Sequence, residues 1–176
     1  MKKIFYAIIA VLFLVGCGKK NESGVLKEVE NKLNKADSYN LVGNLEMVNN
    51  ESSYKYDVEV SYLKDDKFKV SLNNQINNHT QVILKNDDGV YVLTPSLNKS
   101  FKFQSEWPDN GSQAYLLNSL VNDINNDSES KAEADGDGFV ISSKVNYPNN
   151  ANLVSEKIYL DKKSNLKKVE VLDKDG

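Results

Sequence analysis

Tyr54-Lys55-Tyr56-Asp57-Val58-Glu59-Val60-Ser61-Tyr62 alternates without a break. Tyr54, Tyr56, Val58, Val60 and Tyr62 share one side of an extended chain, and Lys55, Asp57, Glu59 and Ser61 share the other. Successive side chains of a strand point to opposite faces, so this spacing predicts an antiparallel strand with one buried and one wet face. The same period runs upstream from Tyr39 through Leu41, Gly43, Leu45 and Met47, which is a preceding strand. Downstream, Lys64-Asp65-Asp66-Lys67 reads as a turn, and Phe68, Val70 and Leu72 begin another strand. A polar loop from Asn73 to Asn78 leads to Thr80, Val82 and Leu84. Asn86-Asp87-Asp88-Gly89 is a hairpin turn in which Asp-Gly supplies positive φ. Val90–Thr94 and Lys99–Gln104 are further strands on either side of Pro95–Asn98.

Trp107-Pro108-Asp109-Asn110-Gly111 interrupts this meander. Ser112 then stands where an N-cap belongs, and Ala114, Leu117, Leu120, Val121 and Ile124 fall on one face of a second helix. Asn125 to Asp137 is polar and acidic, as in a mobile excursion. Strand rhythm returns at Phe139–Ser143, Val154–Leu160 and Leu166–Leu172. Near the start, Val25, Leu26, Val29, Leu33 and Ala36 define an amphipathic helix over Val25–Ala36, with Ser23 as its cap. Its mixed charges suit packing on a sheet better than lying on a membrane surface. About nine strands and two helices in this order predict an α+β domain, a strongly curved antiparallel sheet with helices over its concave face; a closed barrel is the alternative. Asp173-Lys174-Asp175-Gly176 is turn chemistry with no strand after it, so an open C-terminal edge is expected, where a homodimer could form.

Lys2 and Lys3 precede twelve apolar residues, Ile4 to Val15, too few for a comfortable membrane-spanning helix. Charge, short apolar run and Gly16 together make a secretory signal. With Cys17 next, Leu14-Val15-Gly16-Cys17 resembles a bacterial lipoprotein signal. That resemblance implies recognition of Leu14, Val15 and Gly16 by the processing enzymes and diacylglyceryl anchoring at Cys17; a plain signal peptide with an incidental Cys is the other reading. The expected organisation is a signal over 1–16, a lipidated tether over 17–24 and one domain over 25–176. The expected home is outside a Gram-positive cytoplasmic membrane, including the space between the membranes of a spore.

After such cleavage, twenty lysines face 25 acidic residues, a net charge of −5 that argues against nucleic acid. There is no Arg, the usual bidentate grip on phosphate or carboxylate. Cys17 is the only Cys, so no disulfide closes the fold within one chain. Catalytic groups are scarce. His79 is the only His and sits in an Asn-rich loop, and no Ser lies in a Gly-flanked elbow. Zinc spacing is absent, and Glu133–Gly138 fails as a calcium loop because Lys144 holds the twelfth position. The sequence therefore predicts no catalytic residue, no metal and no cofactor. Tyr91, Phe101, Phe103, Trp107 and Tyr115 gather aromatic groups near the second helix. They read either as core or as an apolar groove for an acyl chain or a protein partner.

Asp88–Pro95, Asn98–Phe101 and Trp107-Pro108, followed by Ile158–Asp161, Leu166–Val171 and Asp173–Gly176, resemble the LolA-type lipoprotein-carrier superfamily. That resemblance implies a LolA/LolB-like half-barrel with helices over its hollow. With the lipoprotein signal and the Asn/Lys-rich, Arg-free composition, the chain looks most like GerS-type spore germination lipoproteins of clostridia. This implies a non-enzymatic partner of a spore-cortex N-acetylmuramoyl-L-alanine amidase, supporting muramic-δ-lactam formation and germination. The alternative is a lipid- or lipoprotein-binding carrier.

Overall fold

The computed structural model describes residues 22–49, 52–103 and 111–176. Leu14, Val15, Gly16, Cys17 and Trp107 lie outside them. Helix α1, Glu22–Lys35, leads into β1 (Ser38–Asn49), β2 (Ser52–Leu63), β3 (Lys67–Asn74), β4 (Thr80–Asn86), β5 (Gly89–Thr94) and β6 (Lys99–Lys102). Helix α2, Leu117–Asn126, precedes β7 (Lys131–Asp135), β8 (Gly138–Lys144), β9 (Leu153–Leu160) and β10 (Leu166–Asp173). The α+β expectation holds. The strands, however, form two antiparallel sheets rather than one curved sheet or a closed barrel: a six-stranded meander β1–β6 and a four-stranded sheet in the order β10-β9-β8-β7.

The alternation from Tyr54 to Tyr62 sets the larger sheet. Val58 and Val60 are buried and Tyr56 and Tyr62 half-buried, while the polar residues between them are exposed. Register carries that face across the neighbours, with Leu41 opposite Val60 on β1 and Val70 opposite Val60 on β3. The Lys64–Asp66 turn is left-handed at Asp65 (φ 66°) and Asp66 (φ 58°), a conformation Asp tolerates better than most residues. In the β4–β5 hairpin Asn86 pairs with Gly89, and the positive φ (129°) belongs to Gly89.

The smaller sheet holds the better-covered core. Ala132, Ile141, Ile158 and Leu160 meet Val25 of α1 and Leu120 and Ile124 of α2, with Leu26, Val29 and Leu117 packed around them. Both helices thus lie on this sheet. Gly138 is required where β8 starts, because a Cβ there would stand 2.0 Å from the Leu160 carbonyl oxygen.

Four local expectations need correction. Helix α1 begins at Glu22, so Ser23 lies inside it instead of capping it. Helix α2 begins at Leu117 with Leu116 at its N-cap position, leaving Ala114 in a turn before it. Ser112 is drawn away to the four-stranded side, where its N–H donates to the Asn146 carbonyl (2.7 Å). The supposed excursion at Asn125–Asp137 contains β7, anchored by Ala132, which is buried opposite Ile141.

Candidate binding face

The inner face of the six-stranded sheet is an apolar surface covered only in part. Its centre is dry: Val58, Val60, Phe68 and Val70 are buried together with Leu116, and Tyr115 packs against them. Both covering residues come from the segment ahead of α2. Leu116 enters this core while the adjacent Leu117 packs into the core of the other sheet, so one peptide step joins the two halves.

A tyrosine clamp fixes that junction. Tyr39 and Tyr62, opposite each other on β1 and β2, stack with ring centroids 4.8 Å apart. The Leu117 N–H donates to the Tyr39 hydroxyl (3.1 Å), and the Asn118 side-chain amide donates to the Tyr62 hydroxyl (3.0 Å). Burial pushes Tyr39 and Tyr115 up to about 12, so both are neutral hydroxyls at physiological pH.

Away from the centre the face opens. Phe101 is 61% exposed and Phe103 47%. Phe101 pairs with Val92, and the Phe103 N–H donates to the Val90 carbonyl, which places both aromatics on the inner side. Tyr54 and Met47 are about as open at the far end of β1–β2. Of the five aromatics singled out in the sequence, Phe101, Phe103 and Tyr115 therefore belong to one face. Tyr91 does not. It pairs with Lys102, whose Nζ lies 5.5 Å from its ring centroid, on the outer side of the sheet.

A second polar feature sits behind the junction. Ser112 Oγ donates to Asp123 Oδ1 (2.8 Å) and accepts from the Asn146 N–H (2.6 Å). Asp123 Oδ2 and both carboxylate oxygens of Glu156 are buried without a hydrogen bond. Burial, then the charge of Asp123, pushes Glu156 up to about 8. Burial likewise pushes Asp123 up to about 6, against the opposing Ser112 hydrogen bond. Tyr147 is raised too, by burial and then by Glu156. Burial disfavours the ionised form of each carboxyl, and the charge of Asp123 adds to this at Glu156. Glu156 is 1% exposed and Asp123 7%, so a substrate has no approach to them and their part is structural. The sequence reading missed Glu156. Its signal was parity: it stands in line with the inward-facing Ile158 and Leu160.

His79 is exposed in the β3–β4 loop. Glu133 and Asp135 lie on β7 and lead into a left-handed Gly136 (φ 52°), the chemistry of a hairpin turn. No group of three or more metal-ligating side chains occurs among the described residues. No described helix is long and apolar enough to cross a membrane.

With this geometry in hand, comparison with known proteins places the chain in a process. The family model of sporulation protein YdcC-like proteins matches residues 1–176. This chain belongs to the sporulation protein YdcC-like family. It is 38% identical to "Sporulation protein YdcC" of Bacillus subtilis (strain 168) over 169 residues, covering 96% of this chain and 50% of that protein. The chain thus spans about half the length of the curated relative it matches. Among solved structures, it is similar to one chain of the complex between the CwlD amidase from Clostridioides difficile and the GerS lipoprotein, at 19% identity and a TM-score of 0.49. That match covers 90% of this chain and 89% of the other. The family is accordingly the YdcC-like one, and neither a LolA-like nor a GerS-specific family assignment follows from the matches.

Proposed function

We propose that this chain is an exported, non-catalytic binding module of sporulation, anchored to the membrane through a lipidated Cys17. Its partner is a cell-wall N-acetylmuramoyl-L-alanine amidase of the spore cortex, activated or positioned for muramic-δ-lactam formation. The observation that carries this reading is the exposed pair Phe101 and Phe103, bordering a sheet face whose centre is already dry. Aromatic anchors next to a desolvated centre are what a protein hot spot uses. Family membership supports the process, and the sequence resemblance to GerS-type germination lipoproteins supports the class of partner.

A lipid or lipoprotein carrier needs a hollow along this face. Tyr115 and Leu116 occupy its centre, which favours a protein partner over an acyl chain. The test is affinity capture of the tagged full chain from sporulating cells, read by mass spectrometry, beside a Phe101→Glu/Phe103→Glu variant. The expected result is an amidase as the dominant partner, reduced at least about tenfold by the double variant, a loss of about 1.4 kcal/mol in binding. Capture of acylated proteins or lipid without amidase would overturn the assignment and promote the carrier.

A further inference from the structure

The two sheets present four edges, and three carry devices that discourage another strand. Strand β6 has only four residues, two of them Lys99 and Lys102. Strand β7 has five and carries Lys131, Glu133 and Asp135. Strand β10 carries Lys167 and Lys168, and its register slips between Leu166 and Lys168 and again between Leu172 and Asp173. Short length, lysines and bulges are how sheets protect their edges. Those irregularities also make β10 a poor seat for the dimer expected at the C-terminal edge.

Strand β1 has none of these. It runs twelve residues, contains no Lys and no Pro, and carries Glu46 as its only charge. Its pairing with β2 is continuous from Ser38↔Leu63 to Asn49↔Ser52. Each face of it has open apolar side chains: Val42 is 80% exposed and Val48 74% on the outer side, and Met47 is exposed on the inner side, where Leu41 and Leu45 pack against the core. Among the described residues, no strand pairs with its free edge.

We propose that β1 pairs antiparallel with β1 of a second copy of this chain, joining the two six-stranded sheets into one about a two-fold axis at Leu45. Isologous pairing repeats every cross-strand pair twice, so the strand must complement itself. With the axis at Leu45, Val42 faces the second copy's Val48 and Asn44 faces its Glu46. Gly43 faces its Met47, and a side chain has open space at Gly43, where an added Cβ meets nothing within 4 Å. The charges of the two Glu46 residues stay apart. Moving the axis to Gly43 sets Val48 against Ser38. Moving it to Asn44 sets Val42 against Glu46 and Val48 against Asn40. The Leu45 register is the one of these three that pairs the exposed valines with each other.

Sedimentation of the full chain in detergent at micromolar concentration tests this. The unsubstituted chain is expected as a dimer. Val42→Lys/Val48→Lys is expected as a folded monomer, its thermal midpoint lowered only by the loss of dimer linkage, because both valines are exposed in the single chain. A monomer throughout, or a dimer indifferent to the lysines, overturns the proposal. Oxidation of Leu45→Cys should also give a disulfide-linked dimer beyond any formed through Cys17, whereas Gly43→Cys should not. The reverse result would overturn it.

Discussion

The two sheets of this protein share strand chemistry and differ in what covers them. On the four-stranded sheet, α1 and α2 bring Val25, Leu120 and Ile124 onto Ile141, Ile158 and Leu160, and the covering is thorough enough to trap Glu156. On the six-stranded sheet, Tyr115 and Leu116 cover the centre, while Phe101, Phe103, Met47 and Tyr54 stay open. The smaller sheet thus has the better-covered core, and the larger leaves more of its apolar face open. A buried apolar row is worth most where its cavity cannot be refilled, and an exposed one is worth most to a partner.

The sharpest way to break that contrast is Ile141→Ala. Ile141 is fully buried, so its removal is expected to cost about 2–5 kcal/mol, read as a lower denaturant midpoint with an unchanged slope. A cost near zero would mean that the smaller sheet is not the stable half.

The next effect comes from the trapped carboxyls. Glu156 moves from an ordinary 4.5 to about 8 in the fold, and Asp123 from 3.8 to about 6. Between those values the folded chain keeps protons that the unfolded chain has released. The stability these two carboxyls contribute is therefore full below their unfolded pKa values, falls as pH rises through that window and is lost above about pH 8. The loss amounts to a few kcal/mol, or a thermal midpoint roughly 5–10 °C lower at about pH 8.5 than at about pH 5. Glu156→Gln should remove most of that slope. An equally steep slope in the variant would assign it elsewhere.

The smallest effect is the counterpart on the open sheet. Phe101→Ala should change stability by no more than about 0.5 kcal/mol, because that ring is already mostly in water. A loss comparable to that at Ile141 would mean that Phe101 is core, and the binding-face reading would fall.

The strands of this fold were legible because their information is local. Tyr54–Tyr62 states its own inward face, and the Asp-rich turns at Asp65–Asp66 and Asp87–Asp88 mark where the chain reverses. Phe101, Phe103 and Tyr115 were also legible as members of one apolar feature. Tyr91 was not, because moving one residue along a strand reverses the side to which a side chain points. Strand β7 was hidden by its composition, since Ala132 and Ala134 hold the inward positions and alanine is a weak strand former. Ser112 looked like a cap because its type suits one. Its actual partners, Asp123 and Asn146, are distant in sequence.

By itself, the sequence determined the antiparallel period, most of the turns and the scarcity of catalytic groups, since these follow from residue type and nearest-neighbour spacing. Only the tertiary structure decided that the strands divide into two sheets, that both helices settle on the smaller one, and that Glu156 is buried while Phe101 is not. Alternation says which residues share a face, but whether that face meets a helix, another chain or water depends on packing between segments far apart in the chain.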